Sequence, residues 1–395
     1  MITMSKEKPV ILGGDSILNK VEEWPMIREV DRLDLINTFE SRNWGLDGEK
    51  EKQFTKKFID YIGCQYGHAV ANGTVSLEII LRACEIGPED EVIVPAATWI
   101  ATASAVVYVG AKPVFVDISK NSFVIDPRAV EEKITERTRA IIPVHLYGQP
   151  ADMGAIMEIA NKYELIVIED CAQAQGAEYE GIKTGNHGHF GSFSFQMAKL
   201  MTAGEGGFVT TNSKEYSDLI YAFKNCGRKL NEDSKQILGY NYRMTEFQAG
   251  ILNKQLEIFE EQSLLRHKIG ESLDAELDKI EGIYPIRYRG FVTRHGRYRY
   301  SFRYDRELFH GMDIELFYEV LRREGCLVHS IYTPVYREKL FSVHTDTTYL
   351  ENTENMVRNT ILLSHQMMIN PSIVEKLPKI LKRILKFSEE IVKEN

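Results

Sequence analysis

The chain has 395 residues, 44% of them hydrophobic and 27% charged, enough to bury the core of two domains or of one large domain with an appendage. Its net charge of −9 comes without a long run of Lys and Arg, which argues against the phosphate-neutralising surface of a nucleic-acid binder. No segment approaches the roughly 20 apolar residues that cross a bilayer, and the start MITMSKEKPVILGG has no apolar stretch of signal-peptide length, so neither a membrane partner nor export is expected and the expected location is the cytoplasm.

From about residue 66 to residue 210, short apolar runs alternate with amphipathic stretches, the pattern of an α/β domain with a mostly parallel sheet. The predicted strands are EVIVP (91–95), KPVFVD (112–117), AIIPVH (140–145), LIVIED (165–170), FGSFSF (190–195) and GGFVTT (206–211). Asp117, His145 and Asp170 each follow a β-branched run, and open α/β sheets bind ligands at the carboxyl ends of their strands. Between the strands, residues 74–86, 99–110 and 152–163 carry the apolar stripe of helices. After residue 244 a long charged helical stretch to 277 bridges to a second, smaller domain. That domain holds the alternating strand RYRYSFRYD (297–305), a helix near 314–324 and a terminal helix over 371–394. The expected division is 1–255, an N-terminal segment with the large domain, and 256–395, a smaller α+β domain. In RYRYSFRYD, Tyr298, Tyr300, Phe302 and Tyr304 fall on one face and Arg297, Arg299 and Arg303 on the other, where arginines ordinarily meet water. The sharper alternative is that one of them, or Arg294, binds a phosphate on a substrate.

The five cysteines, Cys64, Cys84, Cys171, Cys226 and Cys326, include no C-x-x-C pair and read as free thiols. His187 and His189 sit in a Gly-rich loop without a nearby third ligand, so no metal is expected. The stretch SFSFQMAKLMTAGEGG (192–207) is more informative. Lys199, set among Phe193, Phe195, Met197 and Met201, would lose hydration and keep more of the neutral amine that Schiff-base chemistry requires. Pyridoxal phosphate, which relies on such a lysine, also needs a carboxylate against its ring nitrogen, and Asp170 at a strand end suits that task. Gln173 can donate to the ring's phenolic oxygen. In ANGTVSLEIIL, Gly73 and Thr74 open a helix whose first N–H groups suit a phosphate, although Asn-Gly-Thr alone is a turn and a cap. Trp99 can stack on the ring or simply fill a core. Gly204, Gly206 and Gly207 lead into a strand rather than a helix, which excludes a dinucleotide loop.

Taken together, NGT (72–74), PAATWIATA (95–103), FVDI (115–118), IIPVHLYGQPADM (141–153), IEDCAQAQGA (168–177), SFSFQMAKLMTAGEGG and GYNYRMTEFQAG (239–250) resemble, in order, the signature blocks of the DegT/DnrJ/StrS family of sugar and cyclitol aminotransferases. The resemblance spans nearly the whole chain and implies the fold type I (aspartate aminotransferase-like) architecture of pyridoxal-phosphate enzymes. It makes Lys199 the lysine that holds the cofactor and, with Asp170, the catalytic pair. It places Gln173 by the phenolic oxygen, Gly73, Thr74 and Ser194 on the phosphate, and Trp99 on the ring face. It also implies a homodimer with shared sites, in which Asn241 reaches the neighbour's phosphate. Arg243, Tyr332 and His365 are the substrate candidates, Arg243 for the carboxylate of the amino donor. Two departures stand out: Ala174-Gln175 where the family often has Ala-His, and Tyr336 where it often has His. Trp99 and KLMTAGEGG look more like the scyllo-inosose aminotransferase and 3-amino-5-hydroxybenzoate synthase branch. The implied reaction moves nitrogen from L-glutamine or L-glutamate to a ketone on a cyclitol or sugar ring, in aminosugar, aminocyclitol or antibiotic biosynthesis. The alternatives are a nucleotide-sugar aminotransferase for cell-surface glycans and a non-catalytic regulatory paralogue. The presence of Lys199 argues against the family's dehydratase branch, where a histidine replaces it.

Overall fold

Runs of β-branched and aromatic residues bounded by Gly, Pro and Asp build the sheets. The structure, a computed structural model, describes residues 7–395 except 19, 47, 230–235, 289, 342, 343, 345 and 348. In chain order the strands are β1 (Tyr66–Val70), β2 (Glu91–Pro95), β3 (Lys112–Val116), β4 (Thr138–Ile141), β5 (Ile166–Asp170), β6 (Glu178–Tyr179), β7 (Ile182–Lys183), β8 (Phe190–Ser194) and β9 (Gly207–Thr211). The second half adds β10 (Ile283–Pro285), β11 (Val292–Arg294), β12 (Arg299–Tyr304), β13 (Val328–His329) and β14 (Thr360–Ser364).

Seven strands form the large sheet in the order β1-β9-β8-β5-β4-β2-β3, with β9 alone running against the rest. All six expected strand runs are present. The run 140–145 leaves the ladder after Ile141, as Pro143 has no N–H to give. Helices Gly73–Ala83, Ala101–Tyr108 and Lys214–Lys224 bury Leu77, Ile80, Val106 and Ile220 in one core cluster. Helices Glu49–Ile62 and Glu246–Leu277 bury Phe54, Phe58, Leu252 and Phe259 in another. Layered helices about a mostly parallel sheet make this the fold type I architecture.

The second sheet, β10-β12-β14-β13, packs with helices Ile314–Arg323 and Ile373–Glu394 around Tyr300, Phe302, Phe317, Leu363 and Leu381. Helix Glu246–Leu277, begun by a capping box at Thr245 and Gln248, runs unbroken from one core to the other. Leu18 joins the core of the second sheet, and Val10 N–H donates to Glu324 Oε1 at 3.0 Å, so the first described residues pack on the second unit. No helix among the described residues is long and apolar enough to cross a membrane.

Candidate active site

The carboxyl ends of β2, β5 and β8 lie along one edge of the large sheet, since these strands run parallel. Asp170 ends β5 and is 7% exposed. Its Oδ2 accepts from Thr102 Oγ1 at 2.8 Å, its Oδ1 accepts from Ala172 N–H at 3.1 Å, and Thr98 Oγ1 lies 2.9 Å from Thr102 Oγ1. One residue earlier, Glu169 points into the opposite face. There it accepts from His145 Nε2 (2.9 Å) and from the N–H groups of Gly185, His187 and Gly188 (2.8 Å each). Burial alone would raise this carboxyl, but the His145 bond and its companions hold it below its ordinary value, so a buried anion anchors the strand that presents Asp170.

His145, Glu169 and Cys171 bring metal-type ligand atoms together, but the donor set does not suit a metal. His145 spends Nδ1 on Ala151 N–H (3.0 Å) and Nε2 on Glu169. His187 donates to Ile182 O and His189 accepts from Val167 N–H, so both fasten loops.

Beyond β8 the chain turns and carries Lys199 into the same edge. Phe193 and Phe195 are fully buried against Phe58, with ring centroids 5.1 and 5.5 Å away, and this anchors the turn. Met201 is buried as expected, whereas Met197 is 48% exposed, because it lies in the turn itself and not on the strand. Lys199 is 9% exposed, and its Nζ has no hydrogen-bond or ion-pair partner among the described residues. It lies 5.2 Å from the centroid of the Tyr298 ring. Burial pushes its ammonium below the ordinary lysine value, while nearby Tyr298 and Asp170 pull the other way.

The helix Gly73–Ala83 starts at the same edge, capped by Asn72 Oδ1 on Val75 N–H at 3.0 Å. A Cβ on Gly73 would lie 2.8 Å from Ser194 Cβ, and one on Gly207 would lie 2.4 Å from the Asn72 carbonyl. Only glycine at both positions lets the helix start, β8 and β9 close on one another. The N–H groups of Gly73 and Thr74, without intrahelical partners, meet no acceptor among the described residues.

Gln173 Oε1 accepts from Tyr147 N–H at 3.1 Å, and its Nε2 donates to Tyr332 Oη at 3.3 Å. Tyr147 holds a left-handed backbone (φ 56°) that a tyrosine rarely adopts. Tyr332 stands between Trp99 and Tyr147, with ring centroids 5.4 and 5.6 Å away, and burial pushes its phenol up to about 12. Trp99 is 54% exposed. His365 is buried, with Nε2 donating to Ala198 O at 3.2 Å beside Lys199.

The sequence profile of the DegT/DnrJ/EryC1/StrS aminotransferase family matches residues 26–382. The chain belongs to this family. It is 39% identical over 351 residues to a Micromonospora echinospora protein provisionally named an L-glutamine:3-amino-2,3-dideoxy-scyllo-inosose aminotransferase, with 86% of this chain and 84% of that one covered. Among solved structures it is similar to 3-amino-5-hydroxybenzoic acid synthase (TM-score 0.85, 28% identity, 96% of this chain and 100% of that one). It is also similar to a provisionally named sugar aminotransferase of Streptococcus pneumoniae in its PLP form (TM-score 0.83, 25% identity, 94% and 100%). The protein is therefore an aminotransferase.

Of the expected site residues, the aminotransferase brings Lys199, Asp170, Gln173, Trp99, Tyr332, Gly73, Thr74 and Ser194 together. Asn241 is exposed in a bridge with Asn225, while Ala71 N–H donates to Tyr242 O beside the Gly73 turn. Arg243 spends Nη1 on Asn225 Oδ1 (2.9 Å) and Cys226 Sγ. The two departures from the family pattern are both buried: Gln175 Nε2 donates to Ser194 O at 2.6 Å, and Tyr336 donates to Glu354.

The expectation of water-facing arginines around β12 is overturned at Arg297 and Arg299, while Arg303 stays partly exposed. Arg297 is 2% exposed and pairs with Asp274 at 2.9 Å, and Arg299 is 7% exposed. Arg303 donates to Asn121 and Arg294 pairs with Glu260 and Glu178. Arg297 has a left-handed φ of 53° and precedes the strand, which begins only at Arg299, and β12 is covered on both faces: Tyr300 and Phe302 join one core cluster, while Leu362, paired with Ser301 on the face of Arg299, joins another. Thr98, Thr102 and Tyr147 were missed by sequence reading. The four-residue spacing of the two threonines at a helix start, pointing one way, was the available signal.

Proposed function

We propose that this edge binds pyridoxal 5'-phosphate and that the enzyme moves an amino group from L-glutamine to the ketone of a cyclitol ring. The observation that carries the reading is Lys199, a buried, uncommitted amine on the sheet edge that also presents Asp170. The cradle at Gly73, Gly207 and Ser194, which any Cβ would fill, fits a phosphate against a helix start. When bound, the cofactor supplies an electron sink for the α-carbon of the amino donor. Lys199 Nζ would be the group that holds the cofactor and the base that moves the proton of the donor's α-carbon. Asp170, oriented by Thr102, would hold the ring N–H, and Gln173 Nε2, which donates to Tyr332 Oη, would be the donor for the phenolic oxygen. Gly73 and Thr74 N–H with the Ser194 hydroxyl would hold the phosphate, and Trp99 would lie against the ring. The name of the Micromonospora relative supports glutamine and an inosose ring over a nucleotide-linked sugar. A place in aminocyclitol antibiotic biosynthesis follows.

We further propose a cytoplasmic homodimer with shared sites, in which Asn241 serves the partner, and a division into two units at about residue 255. The helix Glu29–Glu40 supports the dimer, exposing Leu33, Ile36 and Phe39 at 53%, 52% and 60%, with Ile27 and Trp44 beside them at 67% and 46%. A monomer seldom leaves so apolar a face in water. Borohydride treatment of the purified enzyme tests the central assignment. The expected result is cofactor fixed covalently to the Lys199 peptide, lost together with transamination in Lys199→Ala; cofactor fixed elsewhere, or an active Lys199→Ala, overturns it.

A further inference from the structure

Arg266 stands in helix Glu246–Leu277, which passes from one core to the other, and it is 1% exposed. Of its guanidinium only Nη2 is engaged, donating to Gln262 Oε1 one turn earlier at 3.3 Å, while Nε and Nη1 meet no acceptor among the described residues. No carboxylate offsets the charge, and burial alone pushes the guanidinium down to about 10 from an ordinary 12.5. Two other deeply set arginines of this fold each have an anion, Asp274 for Arg297 and Glu324 for Arg383. Arg266 meets further donors instead. Its Cζ lies 5.4 Å from the centroid of the Trp24 ring, whose Nε1–H is also buried without an acceptor. Trp24 meets His365 edge to face, with ring centroids 4.8 Å apart, and the charges of Arg266 and Arg299 both press His365 away from its protonated form. Since His365 Nε2 donates to Ala198 O, its Nδ1, equally buried and without a partner, is an acceptor.

We propose that Arg266 and Trp24 bind a small monovalent anion of the halide class in the interior, with His365 at its side. A desolvated guanidinium costs most through its charge, and a water cannot cancel charge however well it accepts hydrogen bonds. A halide does both, because it carries one negative charge and accepts from several N–H groups at once. The setting is closed to solvent around Arg266, which suits an ion of one atom over a branched or divalent one. A water beside the ion, donating both to it and to His365 Nδ1, satisfies the remaining acceptor. The site stands apart from the cofactor edge and reaches it by one contact. His365 Nε2 donates to the carbonyl of Ala198, the residue before Lys199, so the ion steadies the imidazole that buttresses the lysine turn.

The test follows melting of the holoenzyme against sodium chloride, with sodium gluconate, whose anion is too large to enter, keeping the ionic strength constant. The wild-type melting temperature rises with the logarithm of chloride, by about 3 °C at 100 times the dissociation constant. Arg266→Met, which fills the space with an apolar chain, melts independently of chloride. Trp24→Phe, which keeps a ring against Arg266 and deletes one N–H, raises the chloride dissociation constant about 10-fold. In crystals of the holoenzyme grown with sodium bromide, anomalous scattering places bromide against the Arg266 guanidinium and Trp24 Nε1. Water alone at that position overturns the proposal. So does a wild type that melts independently of chloride, a chloride response that survives in Arg266→Met, or a Trp24→Phe enzyme that binds chloride as tightly as wild type. If Arg266→Met does not fold, Trp24→Phe and the bromide crystals decide by themselves.

Discussion

Replacing Thr102 with valine keeps the volume of the side chain and deletes one hydroxyl. The Asp170 carboxylate then loses its 2.8 Å hydrogen bond, and Thr98 loses a neighbour 2.9 Å away. No other protein donor reaches Asp170 Oδ2 among the described residues, and at 7% exposure water replaces the lost partner poorly. A hydrogen bond to a charged group is worth about 1.5–3 kcal/mol. If that energy serves to aim the carboxylate at the cofactor's ring nitrogen, kcat/KM falls about 10- to 150-fold at saturating pyridoxal phosphate. The assay pairs kcat/KM with the cofactor dissociation constant of the apoenzyme and its melting temperature. Thr102→Ser, which restores the hydroxyl, should return activity to within about threefold of wild type, and the melting temperature should hardly move. A valine variant within about twofold of wild type, or a serine variant as damaged as the valine one, refutes the positioning role.

Other outcomes follow from the same structure. Asp274→Ala leaves Arg297 buried and unpaired and removes the acceptor of Tyr300 Oη (2.9 Å), so denaturant unfolding should show a loss of about 3–5 kcal/mol, largely recovered in the double variant Asp274→Leu, Arg297→Met; equal losses in single and double variants sink the argument. His68, half-buried on β1, is pushed by desolvation to about 3 from an ordinary 6.5. Between those two values the unfolded chain binds a proton that the folded chain refuses, so stability falls as pH falls through this window, and His68→Gln should flatten the slope by up to about 1.4 kcal/mol per pH unit. An unchanged slope assigns the acid sensitivity to other groups. For the shared site, mixing inactive Lys199→Ala and Asn241→Ala subunits should restore activity in heterodimers, since one composite site then holds both residues. Failure to complement after verified subunit exchange removes the dimer reading.

Much of the cofactor edge was legible in the sequence because its residues end apolar runs. Asp170 closes Ile-Val-Ile-Glu, and Lys199 follows an aromatic strand, so local pattern and site coincide. The helix Glu29–Glu40 was not legible. Its apolar residues spread around the axis, with Asp34 and Thr38 buried and Leu33, Ile36 and Phe39 exposed, so no stripe marks it. Arg297 and Arg299 were misjudged for a related reason. A left-handed residue at 297 turns Arg297 inward before the strand begins, and β12 is covered on both faces, so Arg299 does not meet water. The pairing of Arg297 with Asp274, 23 residues earlier, has no local signature.

The first described residues have a further bearing, on the order in which the protein can be made. Lys8 pairs with Glu390, Val10 donates to Glu324, and Glu324 in turn pairs with Arg383. Ile11, Leu12, Ile17 and Leu18 pack on a core that includes Leu381 and Ile384. During synthesis these residues leave the ribosome before their partners, which follow more than 300 positions later. At about 5–20 residues per second that interval is on the order of tens of seconds. Throughout it a short apolar segment stays solvent-facing beside a large sheet that can already assemble. The burial of the segment thus marks the completion of the second sheet's unit.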